Sequence, residues 1–225
     1  MRSFEQSLER LNHIEALGSG PHAVEQLITA LREELARQWV IENVYGEITL
    51  NIDPNMPFTA LKVIVEILDK KKAPRATTAL WGAFMTLSQN HALEVESLSN
   101  KLKQVNLSLQ NPGVYVGLKD APQKLDELFV AIIEAIGNTA SETHGKVEGQ
   151  DFVKICVDSL SKHEKAGVRV AACNALAKFG DPVVIPELKR LAKIGWWKPW
   201  KSSSDLALRN AATKALKELE GKKSE

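Results

Sequence analysis

Chemistry-bearing side chains are thin in this chain. Its 225 residues include two cysteines, two tyrosines and five histidines. His13, His22, His91, His144 and His163 are scattered, with no pair at ligand spacing, so the usual metal centres find no support. A P-loop, a dinucleotide fingerprint and a G-x-S-x-G elbow are all missing. These gaps lean against an enzyme without deciding the point, and they imply no cofactor, no catalytic residue and no metal ligand.

Long apolar runs are missing too. None approaches the roughly eighteen residues of a membrane span, and the opening Met1-Arg2-Ser3-Phe4-Glu5 lacks the apolar stretch of a secretory signal. A cytoplasmic protein with no membrane partner is the expectation. Cys156 and Cys173 fall inside helical apolar patterns, so reduced core thiols are expected rather than a disulfide or a metal pair.

A large net charge is the third absence, but the formal +1 hides an asymmetry. Residues 1–164 carry 16 basic and 22 acidic side chains, net −6, whereas residues 165–225 carry 13 and 6, net +7. A basic end attracts an acidic partner, whether protein, nucleic acid or phosphate-bearing ligand. Solvated helix faces carry the same residues, and composition leaves the two readings open.

What the chain does have is an ordinary globular share of apolar residues, 44%, and an internal repeat. Leu128 to Ile136, Val168 to Leu176 and Leu208 to Leu216 superimpose at a spacing of 40 residues. They share an aliphatic first residue, Ala at the fourth, a small or aliphatic fifth, Ala at the eighth and Leu or Ile at the ninth. These positions lie on one helix face. Ala131, Ala171 and Ala211 are the small members that let a neighbouring helix come close, and Ile136, Leu176 and Leu216 the large ones that fill the gap. After Phe179, Gly180-Asp181-Pro182 reads as a helix stop, an N-cap and a first-turn proline. Val184, Ile185, Leu188, Leu191 and Ile194 then recur at helical steps, with Glu187, Lys189, Arg190 and Lys193 on the other side.

The run from Val168 to Leu191 resembles one unit of a HEAT repeat, in the short bacterial form also found in bilin-lyase-like proteins. Clear matching covers roughly Leu125 to Leu219. The resemblance implies an all-α fold, an α-α superhelix of about ten helices stacked as a solenoid. Residues 1–225 would form a single domain: an irregular first half to 121, regular repeats over 122–219 and a disordered tail at 220–225. Arg75 to Leu87 has a comparable alternation of small and large residues but sits out of the 40-residue phase. Family members line their concave side with the second helix of each pair, which would put Lys154, Lys189, Arg190 and Lys193 along a groove. Arg169 and Arg209 share a repeat position and would serve an internal polar ladder.

Elsewhere the patterns are less regular. Residues 3–17 suit a helix with Phe4, Leu8, Leu11 and Leu17 inward, and a longer helix is expected from about His22 to Tyr45, burying Val24, Leu27, Leu31, Leu35 and Ile41 and leaving Glu33, Glu34 and Arg37 in solvent. Residues 47–53 alternate like a strand, but Asp53-Pro54 and Met56-Pro57 follow, which predicts an irregular connection. Further helices are expected over 58–70, 75–89, 91–104, 122–137, 150–162, 168–179, 183–194 and 205–219. Two alternating runs within 105–118 flank Asn111-Pro112-Gly113, so this stretch is either a small β-hairpin insertion or an ordered loop. The polar linker 138–149 reads as an exposed loop; Glu142, His144 and Glu148 share it without forming an evident site.

Packing explains one segment least. Gly195-Trp196-Trp197-Lys198-Pro199-Trp200-Lys201 carries three of the five tryptophans. Rigid indoles beside lysines suit a binding hot spot or a base-stacking platform. They suit equally a folded-back cap over the last repeat. The expected function is a non-enzymatic interaction module or scaffold binding a protein partner through Trp196, Trp197, Lys198, Trp200 and Lys201 together with Lys154, Lys189, Arg190 and Lys193. Nucleic-acid binding or base repair at the basic end is the alternative, and a bilin-lyase or phycobilisome-associated factor is a further one resting on repeat similarity.

Overall fold

The computed structural model describes residues 2–36, 41–44, 47–50, 56–91, 112–162, 165–193 and 203–221. Helices dominate. In chain order they are α1 (Arg2–Leu17), α2 (Ala23–Ala36), α3 (Met56–Lys71), α4 (Pro74–Thr86), α5 (Pro112–Thr139), α6 (Phe152–Lys162), α7 (Ala166–Phe179), α8 (Ile185–Ala192) and α9 (Ser203–Gly221). A π-helical turn over Leu87–His91 follows α4, and a 3-10 turn over Pro182–Val184 precedes α8. Two antiparallel ladders interrupt them: β1 (Ile41–Val44) with β2 (Glu47–Leu50), in register Ile41 to Leu50, and β3 (Lys146–Val147) with β4 (Gln150–Asp151). The chain gathers into two compact units, one of Met1–Ile67 and Gly82–Leu128, the other of Leu68–Trp81 and Phe129–Glu225.

In the first unit α1 and α2 pack through Ile14, Leu27 and Leu31, all buried. Leu8, expected inward, is 50% exposed, because the inward stripe of α1 runs through Ile14. Glu34, expected in solvent, is only 5% exposed and pairs with Arg10. Its place on the stripe of Leu27 and Leu31 takes it inward, and the guanidinium offsets the cost of burying its charge. Helix α2 ends at Ala36, so the helix expected to reach Tyr45 is shorter, and residues 41–44 and 47–50 pair as a hairpin where a helix end and an irregular connection were expected. Trp39, Val40 and Ile41 explain the error: apolar and β-branched neighbours satisfy either period over so short a run.

From Phe129 onward the second unit carries the repeat, whose first residue, Leu128, closes the first unit. The first, fifth and eighth positions are buried in all three copies: Leu128, Ile132 and Ala135; Val168, Ala172 and Ala175; Leu208, Ala212 and Ala215. These are i, i+4 and i+7, the inward stripe of a helix packed along its length. The fourth and ninth positions lie at its edge, where Ala171 and Leu176 are buried but Ala131 and Leu216 only half so. Helix α7 packs on α6 and α9, and α9 also packs on α8.

Helix α5 begins at Pro112, so residues 112–118 are helical and the second strand of the suggested 105–118 hairpin does not form. Proline's fixed φ and missing N–H suit a first helical turn, and the same residue that signalled a hairpin turn starts a helix instead. Residues 105–111, all but the first residue of the helix expected over 91–104, and the Trp196–Lys201 segment lie outside the described residues.

The linker after α5 is packed rather than loosely exposed. Ala140 and Val147 are buried, and a ladder forms from Lys146 to Asp151. Left-handed backbone at His144 (φ 51°), Gly145 (φ 76°), Glu148 (φ 50°) and Gly149 (φ 77°) turns the chain back on itself. The Gly145 amide donates to Ala140 oxygen at 2.9 Å and that of Phe152 to Gly145 oxygen at 2.8 Å. Asp151 then caps α6, accepting from the Lys154 amide at 3.1 Å.

Candidate interaction surface

Helix α7 stops where the sequence says it should. Gly180 takes the left-handed conformation, φ 72°, and its N–H reaches Leu176 oxygen, closing the helix end. Asp181 caps the next turn, its carboxylate accepting from the Val183 amide at 2.9 Å, and Pro182 starts it. A further brace comes from the linker. His144 Nδ1 lies 2.8 Å from the Phe179 carbonyl, which can only accept, so the ring nitrogen donates to the last turn of α7. Glu148 is held as well, its Oε2 accepting from Thr78 Oγ1 at 2.8 Å. The linker's His144 and Glu148 thus brace separate helices and do not converge with Glu142 on one centre.

Directed by this turn, α8 lays Leu188 and Leu191 into the core and turns Lys189, Arg190 and Lys193 outward. The three cations are not equivalent. Arg190 makes a two-pronged contact with Glu187, Nε to Oε2 at 2.9 Å and Nη2 to Oε1 at 2.6 Å. That hydrogen bond holds the Glu187 carboxyl below its usual range and the guanidinium above its own. Lys189 reaches Glu220 at 4.0 Å, with both side chains 58% exposed, a loose contact of small worth. Lys189 and Lys193, one helical turn apart, are therefore the exposed ammonium pair of this helix. Lys154 is exposed in the first turn of α6.

Of the sequence-selected residues, the structure brings Lys189 and Arg190 onto α8 with Lys193 at its C-cap and places Lys154 on another helix; Trp196, Trp197, Lys198, Trp200 and Lys201 lie outside the described residues. Arg169 and Arg209 are half-buried at equivalent points of α7 and α9.

Both thiols are buried and free. Desolvation pushes Cys156 up to about 12, with Cys173 adding to the rise. Desolvation likewise takes Cys173 to about 12, with Arg169 opposing and Glu187 adding. A thiol held protonated is neither a nucleophile nor a ligand. Among the described residues no group of three or more His, Cys, Asp or Glu is placed to hold a metal ion, and no helix is long and apolar enough to cross a membrane.

Sequence reasoning missed a cleft of about 390 Å³ between α1 and α2, floored by Ile14, Leu17 and Ala30 and edged by Arg10, Glu25, Glu33 and Glu34. One signal was available: Glu34 interrupts the apolar stripe of α2, and a carboxylate there needs a buried partner.

Residues 168–193 match the PBS lyase HEAT-like repeat family. The matched stretch runs from the first inward residue of α7 through the Gly180-Asp181 break to the end of α8. By this similarity the matched stretch is a HEAT-like repeat, one helix pair with its turn, and the described residues around it are mostly helical. Such repeats often mediate protein interactions. No curated protein and no solved structure matches the chain.

Proposed function

We propose that this chain is a non-enzymatic interaction module that holds a protein partner through the outward cations of α8, Lys154 and the Trp196–Lys201 segment, working in the cytoplasm. The observation that carries the reading is the division of labour on α8, where Leu188 and Leu191 are spent on the core while Lys189 and Lys193 are presented outward. Stacked helices supply a broad rigid surface, and indoles following directly in the sequence supply anchor area of the kind that dominates interfaces. Two buried, unreactive thiols suit a reducing compartment.

Nucleic acid is the second reading, favoured by the net +7 of residues 165–225. Salt separates them. A phosphate-driven complex loses affinity linearly in log salt, by roughly 10³–10⁵ between about 50 and 200 mM for six to ten phosphate contacts. An aromatic-anchored protein complex should retain most of its affinity over that range. Replacing Trp197 and Trp200 by Ala should then abolish protein capture while leaving Lys-dependent binding to a duplex largely intact. Loss of neither would reject the segment as the anchor.

A further inference from the structure

Charge in this protein segregates by compact unit. The first unit carries 9 basic and 15 acidic side chains, net −6, and the second carries 20 and 13, net +7. A chain with one negative and one positive body is complementary to its own copy in a head-to-tail sense.

The first unit's described surface offers a fitting receptor. Helices α1 and α2 together hold three arginines and six glutamates. Glu34 and Arg10 pair with one another at the cleft. Glu25 and Glu33, two turns apart on α2, are exposed at its rim beside the exposed His13. Below them Ile14, Leu17 and Ala30 form an apolar floor. A floor of methyl and methylene groups under a carboxylate rim matches a lysine side chain, whose four-carbon stem seeks apolar contact while its ammonium seeks charge. The second unit presents such side chains at Lys189 and Lys193 on α8, with the guanidinium between them already occupied by Glu187.

We infer that the α1–α2 cleft of one copy receives the α8 lysines of a second copy, giving a heterologous, salt-sensitive self-association. It rests on the protein-binding reading only in using the α8 surface, and it names the partner. Because donor and acceptor surfaces differ, every copy retains one of each, and the contact closes into a ring or extends as a chain.

The test is sedimentation velocity on the whole chain at about 50 and about 500 mM salt, where the screening length falls from roughly 14 Å to roughly 4 Å. Wild type should associate at low salt and dissociate at high salt. Glu25→Lys with Glu33→Lys, and separately Lys189→Glu with Lys193→Glu, should each stay monomeric with unchanged helical circular dichroism. Mixing the two charge-reversed proteins should restore association, since each then meets its complement. Wild type that stays monomeric at low salt overturns the inference, as does association that persists in either variant or at high salt. A monomeric wild type leaves capture of a different protein by the same helix untouched, and that capture has its own experiment.

Discussion

Gly137 of α5 and Ala175 of α7 meet so closely that a side chain at residue 137 has nowhere to go. A methyl group there would stand 2.8 Å from the Ala175 Cα and 2.9 Å from its Cβ. Ala175 is the eighth position of the repeat, and the contact shows what its alanine is for: it permits near-backbone approach of a neighbouring helix. Gly137→Ala would gain about 0.5–1 kcal/mol of helix propensity in isolation. Here the obstacle is backbone and a short side chain, neither of which can swing aside. A net loss of about 1–3 kcal/mol is expected from overpacking, read by urea unfolding. A stabilised variant would mean the helices are farther apart than this.

Thr77 and Thr139 give an asymmetric pair. Thr77 Oγ1 donates to Thr139 Oγ1 at 2.9 Å, and Thr139 Oγ1 donates in turn to Ala135 oxygen at 2.9 Å, with both threonines buried. Thr139→Val strands the Thr77 hydroxyl without an acceptor and should cost about 1–3 kcal/mol. Thr77→Val removes a donor whose acceptor still has its own bond to make, and should cost about 1 kcal/mol or less. Equal costs, measured by urea denaturation, would contradict this order of donation.

The thiols set an alkaline limit. Burial raises both Cys156 and Cys173 to about 12, so the folded state keeps protons that an unfolded chain releases near the ordinary thiol range. Stability from this source is complete below about pH 8.5 and is lost as pH rises toward 12, because the unfolded state then binds fewer protons. Melting temperature should fall across that window, and less so in Cys156→Ala with Cys173→Ala. In native protein at neutral pH both thiols should react with a thiol reagent far more slowly than in denaturant. Fast native labelling would refute their burial.

The repeat was legible because its signal is redundant. Leu128, Val168 and Leu208 recur at one spacing and are each buried, and Gly180-Asp181-Pro182 acts locally through φ and a two-residue hydrogen bond. The finer register was not, because the fourth and ninth positions of the skeleton flank the apolar stripe that the first, fifth and eighth form, and only the packing of neighbours decides how deeply each is buried. The 138–149 linker misled for a related reason. Its polar residues are anchored by partners far along the chain, Thr78 for Glu148 and Phe179 for His144, and composition carries no trace of such pairings. On α8 the cations were visible as residue types, while the neutralisation of Arg190 by Glu187 needed rotamers.

The proposed binding surface is tested most directly by Lys189→Glu with Lys193→Glu, carried through paired measurements of thermal unfolding and quantitative capture of protein partners. Neither lysine contributes to the core, so the melting temperature should stay within about 2 °C of wild type, as for exposed side chains in loose ion pairs. Partner retention should fall by about tenfold or more, the loss expected when two ammonium groups facing an acidic surface become carboxylates. Full retention by the stably folded variant would contradict α8 as the surface through which this protein works.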